Sequence, residues 1–263
     1  MGYEELSGYA EDLERILRLK TFPIGVKMLK EDSQIPSEAY RPLQEDGRRL
    51  ALCQAFALSR RNGMTVVMLK QDMWCYEPVI GLGLAEAPDI FIEGYPHHPL
   101  YTRTPEAGKR AVSAFPRFQP GKYIGVISAP LREISFMPDV VMIYCDPSQL
   151  TFLLAGHQYT DGDKIECTLS PGAVCVFSTV PVILEGKCKV ANPCAGDRMA
   201  ALAGDDELVF SAPTEAIYDL MTGLRYIDGT TAKMPRAIGM RPESTFPDEY
   251  AEMRERMGIR DIE

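Results

Sequence analysis

A chain of 263 residues with 46% hydrophobic and 25% charged residues has an ordinary globular composition, long enough for one large domain or two fused halves. Its 28 Lys and Arg against 37 Asp and Glu leave a net charge of −9, which argues against a nucleic-acid reader and against an anionic membrane surface. Seven cysteines, an odd number, cannot all pair with one another, and only three histidines accompany them.

The first 20 residues lack the basic and apolar regions of a secretory signal, and no window reaches the ~18 apolar residues of a membrane span. A cytoplasmic setting is expected, where thiols stay reduced and cysteines are free, catalytic or metal-bound. Residues 3–19 carry Leu6, Tyr9, Leu13, Ile16 and Leu17 at helical spacing. Thr21 to Leu29 reads as a strand, followed by a polar loop with Pro36 and Pro42. Arg48 to Arg61 reads as a helix closed by Asn62-Gly63, and Thr65 to Lys70 as a short strand. Cys75 to Ala85 has helical potential, Ile90 to Glu93 reads as a strand, and Gly94 to Pro99 as a loop.

In the second half, Lys122 to Ser128 and Asp139 to Tyr144 read as strands. Asp146-Pro147-Ser148 starts a helix running to about Tyr159, with Asp as N-cap and Pro at the first helical position. Lys164 to Leu169 reads as a strand, Ala173 to Leu184 as an apolar segment of open type, and Glu207 to Ser211 as a strand. Pro213 to Arg225 reads as a helix, and Asp248 to Arg260 as a terminal helix or loose tail. A shift of 100 residues lays helix 48–61 on helix 148–159, strand 65–70 on 165–169, and Cys75 on Cys175. The expected class is α/β, with α+β as the other option. The expected plan is two related β-α-β-α halves around a shared core, 1–120 and 121–240, with a tail over 241–263.

Cys145 and Cys167 sit within predicted strands, and Cys188 between lysines, where a free cysteine is commonly a small buried hydrophobe. Cys53, Cys75, Cys175 and Cys194 differ. Cys75 and Cys194 stand at probable helix starts, where backbone N–H groups favour a thiolate. None lies in a Cys-x-x-Cys pair, so zinc-ribbon, ferredoxin and thioredoxin spacings are missing. His97-His98 reads as a solvated loop, and His157 suits a helix C-terminus. Gly81-Leu82-Gly83 lacks the third glycine of a dinucleotide site, and Asp197-Arg198 reads first as a structural ion pair.

The combination of Cys53-Gln54-Ala55, Cys75 before Pro78 and Gly81-Leu82-Gly83-Leu84, Pro138 to Val141, Pro147-Ser148-Gln149, Cys175, and Pro193 to Arg198 resembles the DUF169 family. The resemblance spans roughly residues 10 to 230. It implies a soluble prokaryotic protein, often of anaerobes, with family cysteines at Cys53, Cys75, Cys175 and Cys194. The family's second cysteine is commonly followed by Pro and Gly; here it is followed by Tyr76-Glu77-Pro78. On this reading the four thiolates converge on a [4Fe–4S] cluster, serving electron transfer or redox chemistry of a small substrate. Trp74 and Tyr76 would exclude water, Gly196 would let backbone N–H groups approach, and Arg198 would offset charge. The expected partners are a redox protein or a small-molecule substrate, with self-association left open. One alternative is a non-redox binding or regulatory protein with structural cysteines. Another is thiol catalysis at Cys194 with Arg198 holding an anionic substrate.

Overall fold

The elements below come from a computed structural model that describes residues 2–230 and 248–258. The N-terminal apolar stripe forms helix α1 (Tyr3–Leu17) and buries Leu6, Leu13 and Leu17 completely. Strand β1 (Ile24–Leu29) follows, then α2 (Pro42–Asp46), α3 (Leu52–Asn62), β2 (Val66–Leu69), α4 (Tyr76–Gly81), α5 (Asp89–Ile92) and α6 (Pro105–Ser113). The chain continues through β3 (Gly125–Pro130), β4 (Val140–Cys145), α7 (Pro147–Gln158), α8 (Val174–Phe177) and α9 (Val180–Glu185). It ends with β5 (Lys189–Ala191), α10 (Ala195–Ala200), β6 (Leu208–Pro213), α11 (Ile217–Asp228) and α12 (Asp248–Arg256). The expected tail over 241–263 falls outside the described residues at 241–247 and 259–263.

All six strands join one antiparallel sheet in the order β2-β3-β1-β4-β6-β5, with helices on both faces. This is a mixed α/β architecture. Strand alternation sends Ile24, Val26, Met28, Val140, Met142 and Tyr144 to one face, into a core shared with α3, α4, α8 and α9. Val141, Ile143, Cys145, Phe210 and Ala212 enter the opposite core with α1, α7 and α11. No helix among the described residues is long and apolar enough to cross a membrane.

Read outward from the centre, the sheet runs β1, β3, β2 one way and β4, β6, β5 the other. The register repeats as well. Ile24 pairs with Pro130 as Val140 pairs with Pro213, and Val66 pairs with Ser128 as Lys189 pairs with Ser211. Ser128-Ala129-Pro130 and Ser211-Ala212-Pro213 therefore occupy equivalent places. The residue after each Pro donates its N–H to the residue before the central strand, Leu131 to Pro23 O at 2.8 Å and Thr214 to Asp139 O at 3.3 Å. The halves meet antiparallel at Gly25 opposite Val141, as a twofold axis normal to the sheet requires. Gly25 lacks a side chain because Ile134 and Pro138 of the inter-half linker cross over it; a Cβ there would stand 3.2 Å from Pro138 Cβ.

This repeat does not follow the constant 100-residue shift. Helix α3 packs on one face of the sheet and α7 on the other, so they are not equivalents. The topological counterpart of α3 is α8, and Ala51-Leu52-Cys53 answers Ala173-Val174-Cys175 at the two helix starts.

Several segments differ from expectation. Lys164 to Leu169 forms no strand: the Val190 N–H of edge strand β5 is given to Cys167 Sγ at 3.0 Å, where a ladder carbonyl would stand. Cys167 is exposed, not inside a strand, and Cys188 is buried just before β5. Ile90 to Ile92 lie in α5, with Glu93 at its C-cap, and the helix packs Phe91 edge-to-face on Phe115 at 5.4 Å. The segment 173–184 resolves into α8 and α9. Helix α6 was not anticipated, although Thr104 caps it by accepting the Ala107 N–H and Pro105 opens it. The helix after Asp146 forms as expected, with Gln149 N–H donating to Asp146 Oδ1 and Asp146 N–H to Gln149 Oε1, each at 2.8 Å.

Candidate metal centre

Cys53, Cys75, Cys175 and Cys194 line a single cavity of about 80 Å³. Each stands at the beginning of a helix. Cys53 is the second residue of α3 and Cys175 the second of α8, while Cys75 caps α4 and Cys194 caps α10. The arrangement follows the repeat of the sheet. In each half one cysteine comes from a helix between the first two strands, and the other opens the short helix after the second strand. Cys53 and Cys175 are the buried pair, and Cys75 and Cys194 are partly exposed. All seven cysteines are free thiols.

The remaining lining residues sort by role. Trp74 and Tyr101 form the outer wall and stay 60% and 43% exposed, so the cavity lies just beneath the surface. Gly196 also lines it, and a Cβ there would meet Cys194 Sγ only at 3.8 Å, an ordinary contact, so the glycine is not forced by space. Tyr76 lies outside the lining, about half exposed, with its ring edge-to-face on Phe91 at 6.4 Å. Arg198 lies outside it as well. Its guanidinium is bonded to Gly204 O, reaches Asn192 Oδ1 at 3.4 Å and stands 3.9 Å from Asp205. The expected Asp197-Arg198 pair is not formed in that way, since Asp197 turns inward to Tyr144.

Glu77 was not anticipated. It lines the cavity, and burial pushes its carboxyl up while the nearby Ala173 N–H pulls the other way. Gly172 makes room, since a Cβ there would stand 3.1 Å from Glu77 Oε1. Ala173 holds φ +56°, a left-handed conformation that costs a non-glycine residue about 1–3 kcal/mol. Glu77 thus stands between the start of α4, from the first half, and the turn that opens α8 in the second.

Burial is the main cause that raises the Cys53, Cys75 and Cys175 thiols. Cys75 reaches about 11. The other thiols around the cavity add to the rise at Cys175. The Gln54 N–H beside Cys53 and the Glu77 N–H beside Cys75 act in the opposite sense, favouring thiolate. At neutral pH these three thiols are protonated, and a cationic guest is what would deprotonate them. Among the described residues no three His, Cys, Asp or Glu groups are clustered so that they could hold a metal ion.

The histidines stand elsewhere. His97 is buried against Tyr101, with ring centroids 5.7 Å apart, and burial lowers its pKa. His98 Nδ1 pairs with Thr102 O at 3.1 Å. His157 borders a polar groove with Asp161, Lys164 and Lys187. None of them lines the cysteine cavity, so the geometry offers no His base for a Cys194 nucleophile.

Behind the cavity, on the sheet side, runs a buried polar chain that sequence reading missed. Arg60, two turns along α3 from Cys53, is 1% exposed and grips Glu207 through two bonds of 2.9 and 3.1 Å. Its guanidinium lies 3.8 Å over the Tyr144 ring, and Tyr144 Oη donates to Asp197 Oδ2 at 3.1 Å. Asp197 lies one turn along α10 from Cys194; burial raises its carboxyl to about 6.

A family model described as DUF169, uncharacterised ArCR, matches residues 12–223. An uncharacterized protein of Methanocaldococcus jannaschii is 24% identical over 232 residues, covering 86% of this chain and 96% of that protein. No solved structure matches. The matched span holds all six strands and all four cavity cysteines, and the chain belongs to the DUF169 family.

Proposed function

We propose that this chain is an iron–sulfur protein in which Cys53, Cys75, Cys175 and Cys194 ligate one [4Fe–4S] cluster. The observation that carries the reading is the meeting of four free thiols from four helix starts on one small cavity with no histidine in its lining. Four cysteines are the ligand set of such a cluster. A single tetrahedral zinc, with Zn–S bonds of about 2.3 Å, draws its sulfurs within about 4 Å of one another. Four thiols around one cavity are the number such a cluster takes, and iron and sulfide analysis separates it from zinc.

When bound, such a cluster supplies one-electron transfer at a potential set by burial and by hydrogen bonds to its sulfurs. The chain's own groups do the rest. Cys53, Cys75 and Cys175 give up protons on binding, so loading is favoured as pH rises. The Gln54 and Glu77 N–H groups lie beside Cys53 and Cys75 and favour their charged form. Trp74 and Tyr101 cover part of the outer side. The small cavity leaves little room for a substrate beside a cluster, which favours electron transfer to a partner protein over chemistry on a small molecule. Free cysteines throughout fit a reducing compartment, the cytoplasm.

The test is iron and acid-labile sulfide analysis of anaerobically prepared protein, with absorption and electron paramagnetic resonance before and after reduction. The expected result is a brown protein whose visible absorption bleaches on reduction. A colourless, iron-free protein from anaerobic, iron-replete cells would overturn the reading.

A further inference from the structure

The buried chain Arg60–Tyr144–Asp197 is absent from the mechanism above, yet it joins the two cysteine-bearing helices that bring one thiol from each half. Arg60 and Cys53 share helix α3; Asp197 and Cys194 share α10. Tyr144, on the central strand β4, bridges them: its ring lies under the guanidinium and its hydroxyl is held by the carboxylate. Arg60 is tied independently to Glu207, which also accepts the Gly204 N–H at 2.7 Å beyond α10. Next to Cys53, Ala51 and Ala201 pack in one small buried cluster, so α3 and α10 touch where the chain links them.

A buried ion pair of this kind is a weak source of stability, because desolvating both charges consumes most of their attraction. An apolar core would hold the same helices at less cost. Ionic and hydrogen-bonded links are directional, however, and fix helix rotation in a way that apolar contacts do not. The other half has no such device: Met28 stands at the register place of Tyr144, and Pro78 is the third residue after Cys75 where Asp197 is the third after Cys194. There Glu77 stands against Gly172, at the turn before α8, instead.

We propose that Arg60, Tyr144 and Asp197 are positioning residues that fix Cys53 and Cys194 relative to one another across the two halves, so that the four sulfurs match one cluster. This rests on the iron–sulfur reading. The groups around Asp197 are Tyr144, Arg60, Glu207, Arg198 and the Cys53 thiol, and its second oxygen has no partner.

The experiment uses full-length protein, prepared anaerobically and loaded with its cluster. Tyr144→Phe removes only the hydroxyl and keeps the ring under Arg60; Asp197→Asn keeps the shape at the other end. Groups hydrogen-bonded directly to ligands are worth about 10–100-fold in metal affinity, and these residues, one contact further out, should act at the lower end of that range. The expected result is iron loss to a chelator about tenfold faster or more in both variants, with altered resonance lines of the reduced protein and near-native circular dichroism. Wild-type rates and lines in both variants would overturn the proposal while leaving the cluster in place. Iron-free wild type would instead fail the functional reading, and this proposal with it.

Discussion

The two halves of the sheet trace the same path, β1, β3, β2 and β4, β6, β5, and each delivers one buried and one partly exposed cysteine to the same cavity. They differ in what surrounds those cysteines. Around Cys75 and Cys175 the packing is close and largely apolar: α4 lies so near α8 that a Cβ on Gly81 would stand 2.5 Å from Val176 Cγ1. Around Cys53 and Cys194 a chain of buried charges does the joining. The comparison teaches that a repeated backbone can supply a repeated ligand pattern while each inter-half contact is secured by different physics.

The sharpest way to break the comparison is Arg60→Ala. It leaves Glu207 buried without its cation, and the expected loss is about 3–5 kcal/mol of unfolding free energy by denaturant titration. A loss below 1 kcal/mol would mean the charged chain does not join the halves.

The pH profile probes the charged region through Asp197. Asp197 binds its proton more tightly in the folded protein than in the unfolded chain, because burial raises it from 3.8 to about 6. The associated stability is therefore full in acid and lost as pH rises through about 6. Between pH 4 and pH 8 this group alone should remove roughly 2 kcal/mol. Stability curves of apoprotein and of Asp197→Asn should diverge over that window, with the variant flatter. Parallel curves would place the titration elsewhere.

On the apolar side, Gly81→Ala should cost about 1–3 kcal/mol by forcing Val176 and α8 away from α4. It should also lower iron retention, because Cys175 moves with α8. A neutral result would show that the α4–α8 approach is not tight. The smallest effect is expected far from the site, at the Asp146 cap of α7. Asp146→Ala removes the bond from Gln149 N–H, costs about 1 kcal/mol in thermal unfolding, and leaves iron content unchanged. Loss of iron in that variant would mean the opposite face of the sheet is coupled to the cavity.

Much of the fold was legible in the residues. Helical periodicity gave α1, β-branched runs gave β1, β2 and β4, and Asp146-Pro147 gave the start of α7. Short apolar runs were the weak point: Ile90 to Glu93 suits a strand or a helix turn, and tertiary packing of Phe91 decides. A constant 100-residue shift pairs α3 with α7, which pack on opposite faces of the sheet, because loops of unequal length defeat any constant shift. The repeat's true marks are Ser-Ala-Pro at 128 and 211 and the Ala-x-Cys helix starts at 51 and 173. The four cysteines were singled out partly by helix starts and partly by family resemblance; their meeting at one cavity is a tertiary fact. Glu77 and Arg60 gave no signal, since a buried role for a charged residue depends on partners up to 147 positions away.

The central claim is that four thiols, two from each half, hold one cluster. Iron and sulfide per chain in anaerobic wild type, Cys53→Ala and Cys175→Ala test it most directly. The account predicts a loaded wild type and loss of most iron from both variants, since equivalent buried ligands are removed. Wild type without iron, or a Cys53→Ala, Cys175→Ala double variant that keeps its full iron, would contradict it.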